Sequence, residues 1–107
     1  RVRRPIVENG EAVNTSSRQE LMNFYYKDFE LLRECSLVFA VPLMRDPGTL
    51  VEIGMAIALG IPVVTFDPRH ENSNTMVMCG SKTYSDDLDI CLNEIFDTLS
   101  SIAKRAQ

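Results

Sequence analysis

The sequence predicts an α/β protein built around a parallel sheet. Two continuous apolar runs, at residues 37–41 and 61–66, are typical of strands that are buried on both faces. The segments around them carry apolar residues at helical spacing. Strands that alternate with helices pair in parallel through right-handed crossovers. Because ligands bind beyond the carboxyl ends of such strands, we expect functional residues in the loops at 42–49 and 67–75.

The first half of the chain predicts a short strand and a helix before the first apolar run. Residues 2–8 form the strand, which Pro5 restricts to an edge or to a strand end. A polar loop follows. Ser17 and Glu20 then match a capping box, which predicts a helix that runs to about Glu34.

The second half predicts two further helices and two further strands. The first of these helices spans residues 50–59 and is closed by Gly60, a residue type that commonly ends helices. The run at 61–66 is the next strand. The elements that follow are a short extended or helical piece at 76–79, a strand at 82–84 and a helix that is capped at 85–87 and ends near Ala103.

Length, charge and hydropathy exclude several classes of protein. The chain has 107 residues, which fits one domain spanning residues 1–107 and not two. Its net charge of −4 argues against a nucleic-acid partner, because phosphate binding requires a basic face. No apolar run approaches the roughly 20 residues that a membrane-spanning helix needs. A chain this short buries a limited share of its surface, so we expect modest stability unless subunits associate.

The three cysteines are Cys35, Cys79 and Cys91. Their spacings form no CxxC pair, so the sequence predicts no zinc site. Each has apolar neighbours, and we expect each to be a small core residue. Since the sequence also shows no signal peptide, it predicts a cytoplasmic protein.

Glu52 is the only charged residue between Pro47 and Phe66. Its helix is apolar nearly all round, so we expect the helix to be buried, and burying an unpaired carboxylate is costly. Two explanations are compatible with the residues. In the first, Thr49 to Glu52 form a T-x-x-E capping box. In the second, Glu52 is a nucleophile at the mouth of a pocket, near the positive end of the helix dipole.

Two aspartates are candidates for acid catalysis. Asp46 lies six residues before Glu52, in the loop that leads into the same helix. Loop aspartates are often turn residues, but two carboxylates in unequal environments can divide the roles of nucleophile and acid. That division suits displacement at an anomeric carbon. Asp28 lies on the apolar stripe of the first predicted helix, although a position at the edge of the stripe would let it reach solvent.

The stretch from Asp46 to Val64 resembles the signature of nucleoside 2-deoxyribosyltransferases. The family pattern is a strand, then D-x-G-T-x-x-E-x-G-x-A-x-A-x-G, then a strand led by proline, and here DPGTLVEIGMAIALG is followed by IPVV. Asp28 resembles the aspartate of the family's preceding helix, and residues 74–76 resemble its N-x-M segment. The likeness covers roughly residues 20–100. It implies a flavodoxin-like fold, which is a parallel sheet with helices on both faces.

The resemblance also implies a role for each site residue. Glu52 would attack the anomeric carbon of a 2′-deoxyribonucleoside and form a covalent deoxyribosyl-enzyme. Asp46 and Asp28 would hold and protonate the departing base, and Asn74 of a neighbouring subunit would bind the sugar 5′-hydroxyl. A second base, or water, would then take the sugar. The resemblance implies no cofactor or metal. It implies that the protein binds a deoxynucleoside and a nucleobase and associates with further copies of its own chain. The predicted substrate site also includes Gly48, Thr49 and Met76.

One part of the family pattern has no counterpart in the sequence. The family begins with a strand and a loop that bears glycine and tyrosine. In a flavodoxin-like sheet that first strand is central, and its loss would leave unpaired backbone beside it. We therefore expect the family's first strand to be missing from the chain as it stands, and residues before Arg1 to complete the domain.

Two other functions remain open. A related N-glycosidase would use Glu52 to hydrolyse deoxynucleoside 5′-monophosphates, and a phosphate site near Ser16, Ser17 or an arginine would favour it. A cytokinin-activating phosphoribohydrolase also carries G-T-x-x-E, but its P-G-G-x-G-T run needs a second glycine that this chain lacks before Thr49. A nucleotide-sensing domain without catalysis is the alternative from a different class.

Overall fold

The computed structural model describes residues 17–106. The chain divides after Cys35 into two compact units. The described part of the first unit contains one helix, and the second unit contains the sheet and the remaining helices. The strand predicted at residues 2–8 and the start of the loop after it lie outside the described residues.

Helix α1 (Arg18–Arg33) lies in the described part of the first unit. Ser17 is its N-cap, and the Ser17 hydroxyl accepts a hydrogen bond from the backbone N–H of Glu20 at 3.2 Å. The same hydroxyl contacts the Glu20 carboxylate at 3.2 Å. A capped amide of this kind would otherwise have no partner at the start of a helix. The predicted beginning and end of this helix are therefore confirmed to within a residue.

The sheet of the second unit has three parallel strands in the order β1-β2-β3. Val63 and Val64 on the central strand are only 1% and 0% exposed. Successive side chains of a strand point to opposite faces, so both faces of this strand are covered. The sheet confirms the predicted α/β class and fits a flavodoxin-like fold. The three strands are β1 (Val38–Ala40), β2 (Val63–Phe66) and β3 (Thr83–Ser85).

Helix α2 (Pro47–Ala58) follows β1 after a short 3₁₀ turn at Leu43–Arg45. It begins three residues earlier than the sequence predicted, because Asp46 and not Thr49 is the N-cap. Pro47 suits the first helical position, where a backbone N–H would have no partner within the helix.

The end of α2 agrees with the prediction at Gly60. This glycine has a φ of +75°, which a residue with a side chain rarely adopts. The N–H of Gly60 donates to the carbonyl of Ile57 at 3.1 Å, and the N–H of Ile61 donates to that of Ala56 at 2.9 Å. These two bonds form a Schellman motif, which satisfies carbonyls that the helix itself leaves unpaired.

The expectation that α2 is buried on all sides is wrong within this chain. Ile53 and Ala56 are its buried residues, whereas Val51 and Ile57 are 55% and 37% exposed. The helix packs on β1 and β2 and also contacts the short helix at residues 75–80, but these contacts leave part of its apolar surface exposed within residues 17–106. The apolar character of the helix therefore exceeds what its own sheet requires.

Two further helices complete the second unit. Residues 76–79, for which the sequence predicts a short extended or helical piece, belong to helix α3 (Thr75–Gly80). Helix α4 (Leu88–Arg105) is capped by Asp87, whose carboxylate accepts from the N–H groups of Asp89 and Ile90 at 2.9 and 3.4 Å. It packs on β2 and β3. No helix among residues 17–106 is long and apolar enough to cross a membrane.

The cysteines have three different environments. Cys91 on α4 is 0% exposed and belongs to the core, as predicted. Cys35 is half-buried. Cys79 is exposed, so its predicted core position is wrong. It lies on the short helix α3, which has no buried residue.

Candidate active site

The carboxyl ends of the strands bring together the two loops that the sequence singled out. Residues 42–46 follow β1, and residues 67–74 follow β2. The side-chain amide of Asn72 donates to the carbonyl of Pro42 at 2.6 Å, and Nε of Arg45 donates to the carbonyl of Glu71 at 2.6 Å. The predicted site therefore lies at the edge of the sheet where α/β proteins bind their ligands.

Asp46 lies at the first turn of α2, as its N-cap. Its side chain makes no capping bond to the helix amides and instead accepts a hydrogen bond from the Thr49 hydroxyl at 2.8 Å. A Cβ atom at Gly48 would lie 3.8 Å from the other carboxylate oxygen of Asp46. Thr49 thus holds the exposed Asp46 carboxylate over the start of the helix, with Gly48 beside it.

Glu52 lies in the second turn of α2 and is half-buried. The predicted capping box that starts at Thr49 is wrong, because Thr49 is the third residue of the helix and not its N-cap. Residues three apart on a helix are surface neighbours, with Cβ atoms about 5–6 Å apart. Glu52 is therefore next to Thr49, which in turn holds Asp46.

Asn74 is the N-cap of α3 and is exposed. Its side-chain oxygen accepts the N–H of Met76 at 2.8 Å. The two N–H donors of this amide make no hydrogen bond within residues 17–106, and they can therefore donate to a ligand hydroxyl. Met76, the other predicted substrate contact on this helix, is 77% exposed.

Asp28 belongs to the first unit, on α1, and is half-buried. It interacts with other groups and is not an isolated charge on the apolar stripe. Its approach to the carboxylates of the second unit stays a prediction.

Sequence reasoning missed a buried group of polar residues at the same edge of the sheet. Asp67 directly follows β2 and is 2% exposed. Its carboxylate accepts from the N–H groups of Glu71 and Asn72, at 3.1 and 2.8 Å, and from the Tyr84 hydroxyl of β3. A polar residue directly after a buried strand is the one sequence feature that could have pointed to it.

Burial and hydrogen bonding act in opposite directions on Asp67. Burial by itself raises the pKa of this carboxyl, but the bonds from Tyr84, Asn72 and Glu71 together outweigh it and lower the pKa below its usual value. Burial, together with the bond to Asp67, raises the pKa of Tyr84. The pair therefore consists of a carboxylate and a neutral phenol.

The comparison with known families agrees with this geometry. A model of the nucleoside 2-deoxyribosyltransferase family matches residues 2–94.

The chain belongs to this family.

The match to the nucleoside 2-deoxyribosyltransferase family extends well beyond the Asp46–Val64 signature. It includes α1, the whole sheet and the first part of α4. Among curated proteins, none matches the chain. Within residues 17–106, no group of three or more histidine, cysteine or acidic side chains is arranged to hold a metal ion.

Proposed function

We propose that this protein transfers 2-deoxyribose between nucleobases through a covalent intermediate on Glu52. The observation that supports this most directly is the order of three side chains on α2. Asp46 accepts a hydrogen bond from the Thr49 hydroxyl at 2.8 Å, and Glu52 lies three residues after Thr49, about one helical turn further along. An exposed acid and a half-buried acid thus each neighbour Thr49 in the first two turns of the helix, and their environments are unequal, as a general acid and a nucleophile require.

The proposed reaction has two steps. In the first, a carboxylate oxygen of Glu52 bonds to C1′ of the deoxynucleoside, and the C1′–N bond breaks with its electron pair going to the base. Asp46, assisted by Asp28, donates the proton that the departing base needs. In the second, a nitrogen of another base attacks C1′, the bond to Glu52 breaks, and the proton returns to the aspartate. Glu52 ends as a carboxylate.

Asn74 and Met76 would bind the sugar from a neighbouring copy of the chain. The exposed amide donors of Asn74 suit the 5′-hydroxyl of deoxyribose. The exposed apolar residues of α2 and α3 are consistent with a homo-oligomer, since large apolar side chains on a surface often mark an interface. The exposed residues are Val51 and Ile57 on α2, Leu59 at its C-cap, and Met76 and Met78 on α3. We also propose a cytoplasmic location for the protein.

Incubation with a deoxynucleoside and a second free base tests the proposal. We expect a new deoxynucleoside that contains the second base, detected by liquid chromatography. With the deoxynucleoside alone, intact-protein mass spectrometry should show a deoxyribosyl adduct, and peptide mapping should locate it on Glu52. Glu52→Gln should lose the adduct and lower the rate by about three orders of magnitude or more.

The matched control is Glu30→Gln, which makes the same change at an exposed glutamate of α1. It should keep wild-type transfer. Free deoxyribose without a new nucleoside would identify a hydrolase, and preference for a 5′-monophosphate would specify its substrate. Binding of a deoxynucleoside without turnover or adduct would overturn catalysis and favour a sensing domain.

A further inference from the structure

The buried polar residues beside the proposed site have no part in the reaction steps above. Asp67 and Asn72 are 2% and 5% exposed, and Tyr84 is half-buried. We refer to Asp67, Asn72 and Tyr84 as the Asp67 network. Buried polar groups of this kind require partners, because an unsatisfied one destabilises the fold. The contacts of the Asp67 network therefore identify the segment of the chain that it holds in place.

Asn72 connects this network to the proposed acid. Its backbone N–H donates to the Asp67 carboxylate at 2.8 Å, which orients the residue. Its side-chain amide then donates to the carbonyl of Pro42 at 2.6 Å. Pro42 is itself fully buried and lies four residues before Asp46. The network thus begins on β3, at Tyr84, and ends on the loop that carries Asp46.

That loop cannot hold its conformation by local preference. Met44 and Arg45 have φ values of 55° and 53°, in the left-handed region that non-glycine residues seldom occupy. Such conformations persist only where surrounding contacts impose them, and they are common near functional sites. Two consecutive residues of this kind directly precede Asp46.

Two hydrogen bonds tie the loop to the segment after β2. The bond from Arg45 Nε to the Glu71 carbonyl is exposed, so water competes with it. The bond from Asn72 to Pro42 is buried, where a hydrogen bond is stronger because the surroundings are less polarisable. Asn72 is therefore the main restraint on the loop.

We propose that Asn72 is a positioning residue: held by Asp67, it fixes the Pro42 carbonyl and so keeps Asp46 where it can protonate the departing base. The role rests on the proposed function, because Asp46 acts only if that reaction occurs. The restraint on the loop does not depend on activity and can be measured separately.

The test compares Asn72→Leu with Thr98→Val. Asn72→Leu keeps a similar volume but removes the donor to Pro42, and Asn72→Ala is the second variant should the leucine prevent folding. Thr98→Val is the matched control, since it also removes a buried polar group at similar volume, but Thr98 bonds to Lys82 and neither residue belongs to the Asp67 network. We expect the backbone amides of residues 43 and 46 to exchange hydrogen faster in the Asn72 variants only.

Kinetics then separate positioning from general stability. Asn72→Leu should lower kcat by roughly 10- to 100-fold with little change in KM, because a small displacement of a catalytic group has an effect of this size. Thr98→Val should lower the melting temperature but keep kcat. The double variant with Asp46→Asn should be no slower than Asp46→Asn alone, since the restraint matters only through that aspartate.

Three results would overturn the inference. The first is unchanged amide exchange at residues 43 and 46 in the Asn72 variants. The second is an equal loss of kcat in Thr98→Val at the same fall in melting temperature. The third is a double variant whose losses simply add. A wild-type protein without transfer or hydrolysis would overturn the proposed function and the role of Asn72 in it, while the exchange measurement would still decide whether Asn72 restrains the loop.

Discussion

Asp46 and Asp67 follow neighbouring strands, yet their surroundings are opposite. Asp46 is exposed and accepts a hydrogen bond from the Thr49 hydroxyl. Asp67 is buried, accepts two backbone amides and a phenol, and its pKa lies below the usual value. An exposed carboxyl can reach a base and exchange its proton, whereas a buried carboxylate with several donors stays ionised. We therefore expect proton transfer from Asp46 and a structural role for Asp67.

The first prediction concerns a single residue, Asp46, and the proton that it gives to the leaving base. Asp46→Asn should lower kcat by about 10²- to 10⁴-fold for a natural deoxynucleoside, the range that a general acid contributes. A deoxynucleoside whose base departs easily as an anion should lose far less, because it needs little help from a proton. Steady-state rates with both substrates measure the difference. Asp97→Asn, at an exposed position on α4, is the control, and equal losses for both substrates would contradict the assignment.

The second prediction concerns stability against pH. Asp67→Asn should destabilise the protein by about 2 kcal/mol at neutral pH, because an amide cannot accept all the bonds that the carboxylate accepts. The folded-state pKa is lowered, so the contribution of Asp67 is fully present above the unfolded value of about 4. It is lost as the pH falls further through the folded-state pKa.

Chemical unfolding of wild type and Asp67→Asn from pH 7 down to acid conditions measures this dependence. The gap between the two proteins should narrow below about pH 4. Asp97→Asn again serves as the exposed control, and we expect its gap to be small throughout. A constant gap for Asp67→Asn would show that the carboxylate is not the stabilising form.

Among the elements, α2 carries the proposed nucleophile and begins at the proposed acid, and two of its glycines, Gly54 inside the helix and Gly60 just after it, have different roles. Gly60 adopts a φ of +75° in the motif that ends the helix. Gly54 lies within the helix, and a Cβ atom there would meet nothing within 4 Å. The first glycine is required by the backbone, whereas the second is not required by the contacts of this chain.

The third prediction contrasts these glycines. Gly60→Ala should destabilise the protein by about 1–2 kcal/mol, because alanine is strained at positive φ. Gly54→Ala should stabilise it by about 0.5–1 kcal/mol, because glycine weakens a helix interior. Thermal unfolding monitored by circular dichroism measures both changes. Destabilisation by Gly54→Ala would indicate that a subunit packs closely against this position.

For the molecule as a whole, the proposed site would combine residues from more than one copy of the chain. Glu52 and Asp46 lie on one helix, whereas Asn74 is proposed to serve the site of a neighbouring subunit. The exposed apolar residues on α2 and α3 support such an association. Light scattering coupled to size-exclusion chromatography should therefore give a mass that is a multiple of the monomer.

The fourth prediction tests the shared site by complementation. Glu52→Gln and Asn74→Ala should each be nearly inactive alone. Mixed after unfolding and refolding together, they should regain part of the transfer activity, because some interfaces then combine an intact Glu52 with an intact Asn74. Glu52→Gln refolded with Glu52→Ala is the control and should stay inactive. No recovery in an oligomeric mixture would place Asn74 in the same subunit as Glu52.

Local patterns in the sequence determined most of the described elements. Ser17 and Gly60 marked the ends of helices, and the apolar runs at 37–41 and 61–66 marked two strands. Each of these features depends on residues within a few positions of one another, so it is visible in the sequence. The family signature from Asp46 to Val64 likewise lies in one continuous stretch, and the family match agrees with it.

Contacts between distant parts of the chain, which are visible only in the folded structure, determine which polar residues lie around the proposed site. The Tyr84 and Asn72 bonds join residues 17 and 30 positions apart, so no local pattern announces them. The left-handed backbone at Met44 and Arg45 runs against the preference of both residues, and contacts from elsewhere in the fold hold it. The exposure of α2 follows from the sheet covering only one of its faces. Periodicity cannot reveal this, because an apolar helix has the same pattern whether its second face meets its own chain or another.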